Sequence, residues 1–277
     1  MSKGPSSGYS QLAALAALAD RLTPLIALAA FLAVWEAAVR LGNIPSFLLP
    51  APTTIWASIM ANLPALVRHS LVTLLETLAG FGLSLAIGIP LAVLIVYSRV
   101  FDRILYPMLV ASQAVPKVAL APILLVSLGY GIMPKVIVAL LIAFFPVVVN
   151  TVTGLASVDR DTLKLLRSMG ASRLDVFVKV RFPHAVPSMI AGFKVAIALA
   201  VVGAVVGEFV GSRSGLGYFM LLATGNFDTA LVFACVVMLT IMGIVLFYTV
   251  GLLEIVLGRW NRAARIAAGE PAGAFGM

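Results

Sequence analysis

Three polar side chains stand where an apolar chain has least reason to carry them. Gln113 and Lys117 lie one helical turn apart in LVASQAVPKVALAP, residues 109–122. Glu208 follows Gly207 in VVGAVVGEFVG, residues 201–211. An ionised group at membrane depth costs at least ~2.5–3.5 kcal/mol on insertion scales, so each needs a partner or water. Spacing by four puts Gln113 and Lys117 on one helical face. They are read as the polar lining of a translocation path, with a lysine snorkelling to an interface or pairing with a neighbouring helix as the alternative. Glu208 is read as a gate or subunit-contact carboxylate, the alternative being an acid near the outer interface that water reaches. Asn150 suits an interhelical hydrogen bond. Glu76 is taken as a rim acid, His69 and His184 as lone histidines in or beside loops, and Cys235 as a small packing residue. Covalent chemistry finds no support. There is no GxxxxGK[ST], no Ser/His/Asp order and no metal-ligand spacing, so no catalytic residue, cofactor or metal is expected.

Composition fixes the setting for these groups. The chain has 277 residues, 62% apolar and 11% charged, against about 25% charged in soluble domains. Apolar runs of about 20 residues call for membrane-spanning helices rather than a barrel. One Cys and two His exclude a disulfide framework. The net charge of +8 fits basic cytoplasmic loops, and with no basic patch interleaved with aromatics, nucleic acid is not expected as a partner.

The elements follow from hydropathy and breakers. Residues 1–10 are polar and Gly/Ser-rich, and 11–19 form a short apolar helix suited to the inner surface, so 1–21 reads as a cytoplasmic tail. Spans are expected at 22–41, 70–97, 104–128, 134–157, 188–211 and 230–257. Residues 42–68 are expected outside, with Thr53 or Thr54 capping a helix, and 212–229 form a second external segment. Pro107, Pro116 and Pro122 break the third span. Gly80, Ser84 and Gly88 in the second span, and Gly203, Gly207 and Gly211 in the fifth, are small-xxx-small faces for close helix packing. The predicted fold is all-α, a polytopic membrane protein of about six transmembrane helices. With both termini inside, the internal segments hold 13 Lys and Arg and the external segments four, Arg40, Arg68, Lys135 and Arg213. The membrane-spanning domain is 22–258, and 259–277 form a basic cytoplasmic tail.

The long polar interruption is 158–187, VDRDTLKLLRSMGASRLDVFVKVRFPHAVP. It reads as two short helices. The first runs from about Asp159 to Met169, acids first and bases later. Gly170 supplies a left-handed stop. Ser172 to Asp175 is a capping-box pattern, and Pro183 and Pro187 end the second helix.

A glycine followed thirteen residues later by proline, Gly170 to Pro183, with Val180 and Phe182 between, resembles the EAA loop of ABC importer permeases. LPAPTTIW, residues 49–56, and PKVALAP, residues 116–122, resemble the sulfonate, nitrate and taurine group of that family. Lys164, Leu165 and Leu166 stand at the three positions that name the motif, so its acid, and any salt bridge the acid would make, has no counterpart. The resemblance implies a type I ABC importer permease in a bacterial inner membrane, with both termini cytoplasmic. It implies two ATP-binding subunits docked at the elbow through Lys164, Leu166, Gly170, Ala171, Ser172, Phe177 and Pro183. It also implies a second permease subunit forming a homodimer and a periplasmic or lipid-anchored substrate-binding protein, for a small solute such as a sulfonate, nitrate or taurine. The rival is an ion-driven secondary transporter or a membrane enzyme. That rival calls for midplane carboxylates on paired discontinuous helices, whereas Glu208 lies toward one end of its span.

Overall fold

The computed structural model describes the backbone of residues 7–267 and the side chains of residues 23–253. The polar start at 1–6 and the end of the basic tail at 268–277 lie outside the described residues, as do the side chains of Arg259, Arg262 and Arg265. The described chain is helical: α1 Ser7–Leu41, α2 Pro52–Tyr97, α3 Arg99–Ala111, α4 Ala121–Leu128, α5 Met133–Ala156, α6 Arg160–Ser168, α7 Arg173–Val176, α8 Phe182–Gly211, α9 Leu216–Gly225 and α10 Thr229–Ala267. Five helices are long and apolar enough to cross a membrane, and the pair Arg99–Ala114 and Lys117–Leu128, bent by 85°, makes a sixth if it counts as one span.

Several boundaries differ from expectation. Residues 11–19 are not a separate surface helix but part of unbroken α1, because nothing between Ala19 and Leu22 can break it. The helix expected after Thr53 and the span expected from 70 are one element. α2 begins at Pro52 and runs for 46 residues through Pro64, about 69 Å at 1.5 Å per residue, roughly twice the ~30 Å hydrocarbon layer. Proline at the first helical position has no N–H to leave unsatisfied. Thr53 therefore does not cap α2. Its backbone N–H donates to Glu36 Oε2 at 3.1 Å and its hydroxyl to Glu36 Oε1 at 2.8 Å, so the acid of the first span serves as the cap. Pro183 and Pro187 do not stop the second short helix either. A π-helical turn over Phe177–Arg181 joins α7 to α8. Its wider winding moves the carbonyls that the Pro183 ring would strike in a regular helix.

The described residues form two compact units, 7–63 with 223–234 and 64–222 with 235–267. In the first, Glu36 also accepts from Arg40 at 2.5 Å, and Trp35 packs against Phe31 and Phe233. In the second, α5 is the central helix. A Cβ placed on Gly80 of α2 would come within 2.9 Å of the Val136 carbonyl, and one on Gly88 within 2.8 Å of Val147. From α8, a Cβ on Gly203 would meet Ala139 Cα at 2.6 Å and one on Gly207 would meet Lys135 Cα at 2.8 Å. Both glycine faces therefore bring backbone to α5 inside the subunit. Ala143, Val147, Ala196 and Ala200 are fully buried between α5 and α8. Leu71, Leu75 and Leu78 of α2 and Val195 and Val202 of α8 stay exposed, as lipid-facing residues do.

Candidate functional site

Two places in the second unit gather the polar residues. The first is a buried charged knot at the end of α8. Glu208 and Glu76 are both fully buried. Lys135, the third residue of α5, forms an ion pair with Glu76 and donates to Ser212 Oγ at 3.0 Å. Glu208 accepts from the Thr73 hydroxyl at 2.7 Å and from the Gly217 N–H at 2.5 Å. The Leu216 N–H donates to Thr73 Oγ1 at 2.8 Å, and the Gly215 N–H to His69 Nδ1 at 3.0 Å. Three donors at the start of α9, the N–H groups of Gly215, Leu216 and Gly217, thus end on side chains of α2 and α8, and a carboxylate meets the positive end of that helix. Gly215 has φ +105, and a side chain there would overlap the Glu208 carboxyl, so the loop closes on the acid only because both conformation and space suit glycine. His69 stacks on Phe219 at 4.7 Å.

This geometry ties α2, α5, α8 and the 212–217 loop together without offering a nucleophile or an exposed base. Glu208 is buried rather than reached by water, Glu76 is buried on α2, and His69 is not in or beside a loop but buried within α2. Sequence reasoning missed Glu76, Lys135, Thr73 and His69 as partners of Glu208. A signal was present. Lys135 opens the fourth span and Glu208 closes the fifth, so two opposite charges sit at ends that neighbouring antiparallel spans must bring together.

Gln113 and Lys117 are not on one helical face. They sit on either side of Pro116, on two short 3₁₀ turns (Ser112–Ala114 and Lys117–Leu120) at the 85° break. Their side chains still meet, Lys117 Nζ donating to Gln113 Oε1. Asn150 donates to its own helix at Pro146 O, 2.9 Å, and its carbonyl accepts from Ser188 at 2.9 Å.

The second place is the elbow of α6 and α7. Asp159 caps α6, accepting from the N–H groups of Asp161 and Thr162 at 3.0 Å each. Those donors, Thr162 foremost, hold its carboxyl below the usual carboxylate range. Gly170 has φ +83. Its N–H donates to Arg167 O and the Ala171 N–H to Leu166 O, both at 3.0 Å, the two bonds of a Schellman stop. Ser172 accepts the Asp175 N–H at 3.1 Å. The elbow has its own small core of Val158, Leu163 and Val176, against which Leu166, Ala171 and Val180 pack. Lys164 points outward and pairs with Asp161 at 2.7 Å, and Pro183 lies in the first turn of α8. Phe177 does not face outward as a docking residue would. It packs against Tyr97 and Phe182 at 5.9 and 6.0 Å. The large apolar residues left most exposed are Leu165, Met169 and Leu174, at 61%, 75% and 71%, ahead of Val178 at 49%.

The family model of the binding-protein-dependent transport system inner membrane component matches residues 84–259, a stretch that contains the whole elbow and the Lys135, Glu208 and 212–217 part of the knot, but not His69, Thr73 and Glu76. The chain is 37% identical to the formylaminopyrimidine transport permease protein ThiX of Halalkalibacterium halodurans, over 87% of this chain and 96% of that one. It is 38% identical to the riboflavin transport system permease protein RibX of Chloroflexus aurantiacus, over 85% and 89%. In fold it is similar to a chain of the MetNI methionine ABC transporter in an inward facing conformation, with a TM-score of 0.60, 20% identity, and coverage of 74% of this chain and 98% of that one.

Proposed function

Because the chain belongs to the binding-protein-dependent transport system inner membrane component family of ABC importer permeases, we propose that it forms the translocation path for a small solute and receives the stroke of a separate ATP-binding subunit at the α6–α7 elbow. The observation that carries this reading is the elbow's surface. A self-supported turn, fixed by two caps and its own core, offers Leu165, Met169 and Leu174 to a partner and continues through α7 into α8. Exposed apolar residues on a rigid polar element mark a protein contact. The assembly is two permease subunits, two ATP-binding subunits inside and a substrate-binding protein outside. Lys117 and Gln113, at the broken span, line the path. The names of the two relatives support a nitrogen heterocycle as solute, and the resemblance to sulfonate, nitrate and taurine permeases supports a small anion. The molecule carried by the co-purified binding protein decides between them.

Met169→Asp and Leu174→Asp test the docking. Both positions are exposed, so membrane levels should stay at wild type while recovery of the ATP-binding subunit falls about tenfold or more. Gly170→Val should act similarly. No atom lies within 4 Å of an added Cβ there, but a β-branched residue at φ +83 is strained by on the order of 1–2 kcal/mol or more, and the strain falls on the loop. Normal recovery in all three variants would leave the elbow a topogenic loop.

Orientation has its own test. With Cys235 replaced by Ala, Arg213→Cys should react with an impermeant thiol reagent on intact spheroplasts, and Ser168→Cys should react only after lysis. Both side chains are exposed. The reverse pattern would invert the topology.

A further inference from the structure

The elbow encloses a pocket that the docking surface does not use. Val96 and Tyr97 at the end of α2, Arg167 of α6, Ala171 between α6 and α7, Arg173 and Val176 of α7, and Arg181 of the π turn line a cavity of about 170 Å³. Three arginines therefore border one small space. The nearby acids are already engaged, Asp161 with Lys164 at 2.7 Å and Asp175 with Lys179 at 2.6 Å, while Asp159 accepts from backbone. Among the described residues, none of the three arginines lies within ion-pair distance of a carboxylate. Arg181 rests over the Tyr97 ring at 5.2 Å, which fixes its position without neutralising it. Three like charges around a concavity repel one another until an anion enters, and the planar forks of arginine match the oxygens of a phosphate.

We propose that Arg167, Arg173 and Arg181 form a binding site for the phosphate of an anionic phospholipid headgroup. A lipid is favoured over other anions by place. The pocket lies where α2 ends, with Tyr97 at the rim in the manner of interfacial aromatics, and between the end of one span and the approach to another, where basic pockets meet headgroups on the cytoplasmic side. This rests on the cytoplasmic placement of the elbow proposed above, but not on its docking to an ATP-binding subunit.

Native mass spectrometry of the full-length permease, purified without its partners, tests the site with dioleoylphosphatidylglycerol, dioleoylphosphatidylcholine and inorganic phosphate as probes. Wild type should retain phosphatidylglycerol in preference to phosphatidylcholine. Arg167→Gln/Arg173→Gln alters two exposed side chains and keeps Arg181 on Tyr97, so folding is spared. It should lower phosphatidylglycerol retention about tenfold and leave both phosphatidylcholine retention and thermal stability unchanged. Equal phosphatidylglycerol retention by variant and wild type would overturn the site. Inorganic phosphate binding without any preference between the two lipids would overturn the lipid as its source. Unchanged lipid retention with loss of the ATP-binding subunit in the double variant would assign the arginines to a partner carboxylate instead. Because the lipid readout uses the permease alone, failure of the docking variants leaves it standing.

Discussion

Lys135→Met is expected to destabilise the permease by ~3–5 kcal/mol, the usual cost of stripping one partner from a buried ion pair. The ammonium of Lys135 is the cation that faces Glu76, and both side chains are shielded from solvent. Methionine fills a similar volume but leaves the carboxyl without its counter-charge, next to a second buried acid, Glu208. The measurement is the thermal unfolding midpoint of the purified protein in detergent. Glu76→Gln/Lys135→Met removes both charges and should recover more than half of the loss, because a neutral pair of similar size carries little desolvation penalty. Glu208 keeps Thr73 and the Gly217 N–H in either variant. A Lys135→Met protein that unfolds at the wild-type midpoint would show that the pair contributes nothing to holding this end together.

Gly207→Leu is expected to cause the second large loss, through the backbone rather than through charge. The first added atom already falls 2.8 Å from Lys135 Cα, and a main-chain atom cannot rotate away as a side-chain tip can. α5 and α8 would have to separate along the contact that Gly203 extends at Ala139, 2.6 Å from its own hypothetical Cβ. Overpacking of this kind costs typically ~1–3 kcal/mol and occasionally more, and here it also displaces Lys135 from Glu76. The yield of monodisperse permease on size exclusion should fall severalfold. Gly82→Leu is the control. Gly82 is exposed, with nothing within 4 Å of an added Cβ, and its yield should match wild type. If Gly207→Leu purified as well as Gly82→Leu, the close approach of α5 and α8 would not be a requirement of the fold.

Legibility in the sequence followed the range of the interactions. The fourth span, read as 134–157, is Met133–Ala156, because proline at its start and a polar sequence at its end act locally. The elbow was legible for the same reason: Asp159, Gly170 and Ser172 cap or stop helices through atoms within three or four residues. Proline was over-read at Pro183 and Pro187, which sit inside the rod from α7 to α8 because a π turn removes the usual penalty. The knot of Glu76, Lys135 and Glu208 was not legible as a unit. Its members lie on three helices, and a sequence shows each as a solitary charge near a rim. Phe177 shows the same gap at shorter range. An aromatic on an amphipathic turn can face a partner or its own chain, and only the position of Tyr97 decided which.

The unbroken course from Arg173 to Gly211, 39 residues and about 58 Å long at 1.5 Å per residue, has a mechanical consequence. It is roughly twice as long as the ~30 Å hydrocarbon layer. Gly192, Gly203 and Gly207 fasten it to α5 at Asn150, Ala139 and Lys135, so the two helices swing as one beam. Any displacement of α8 along this contact must carry α5 with it, and the π turn at Phe177–Arg181 sits between that beam and the elbow.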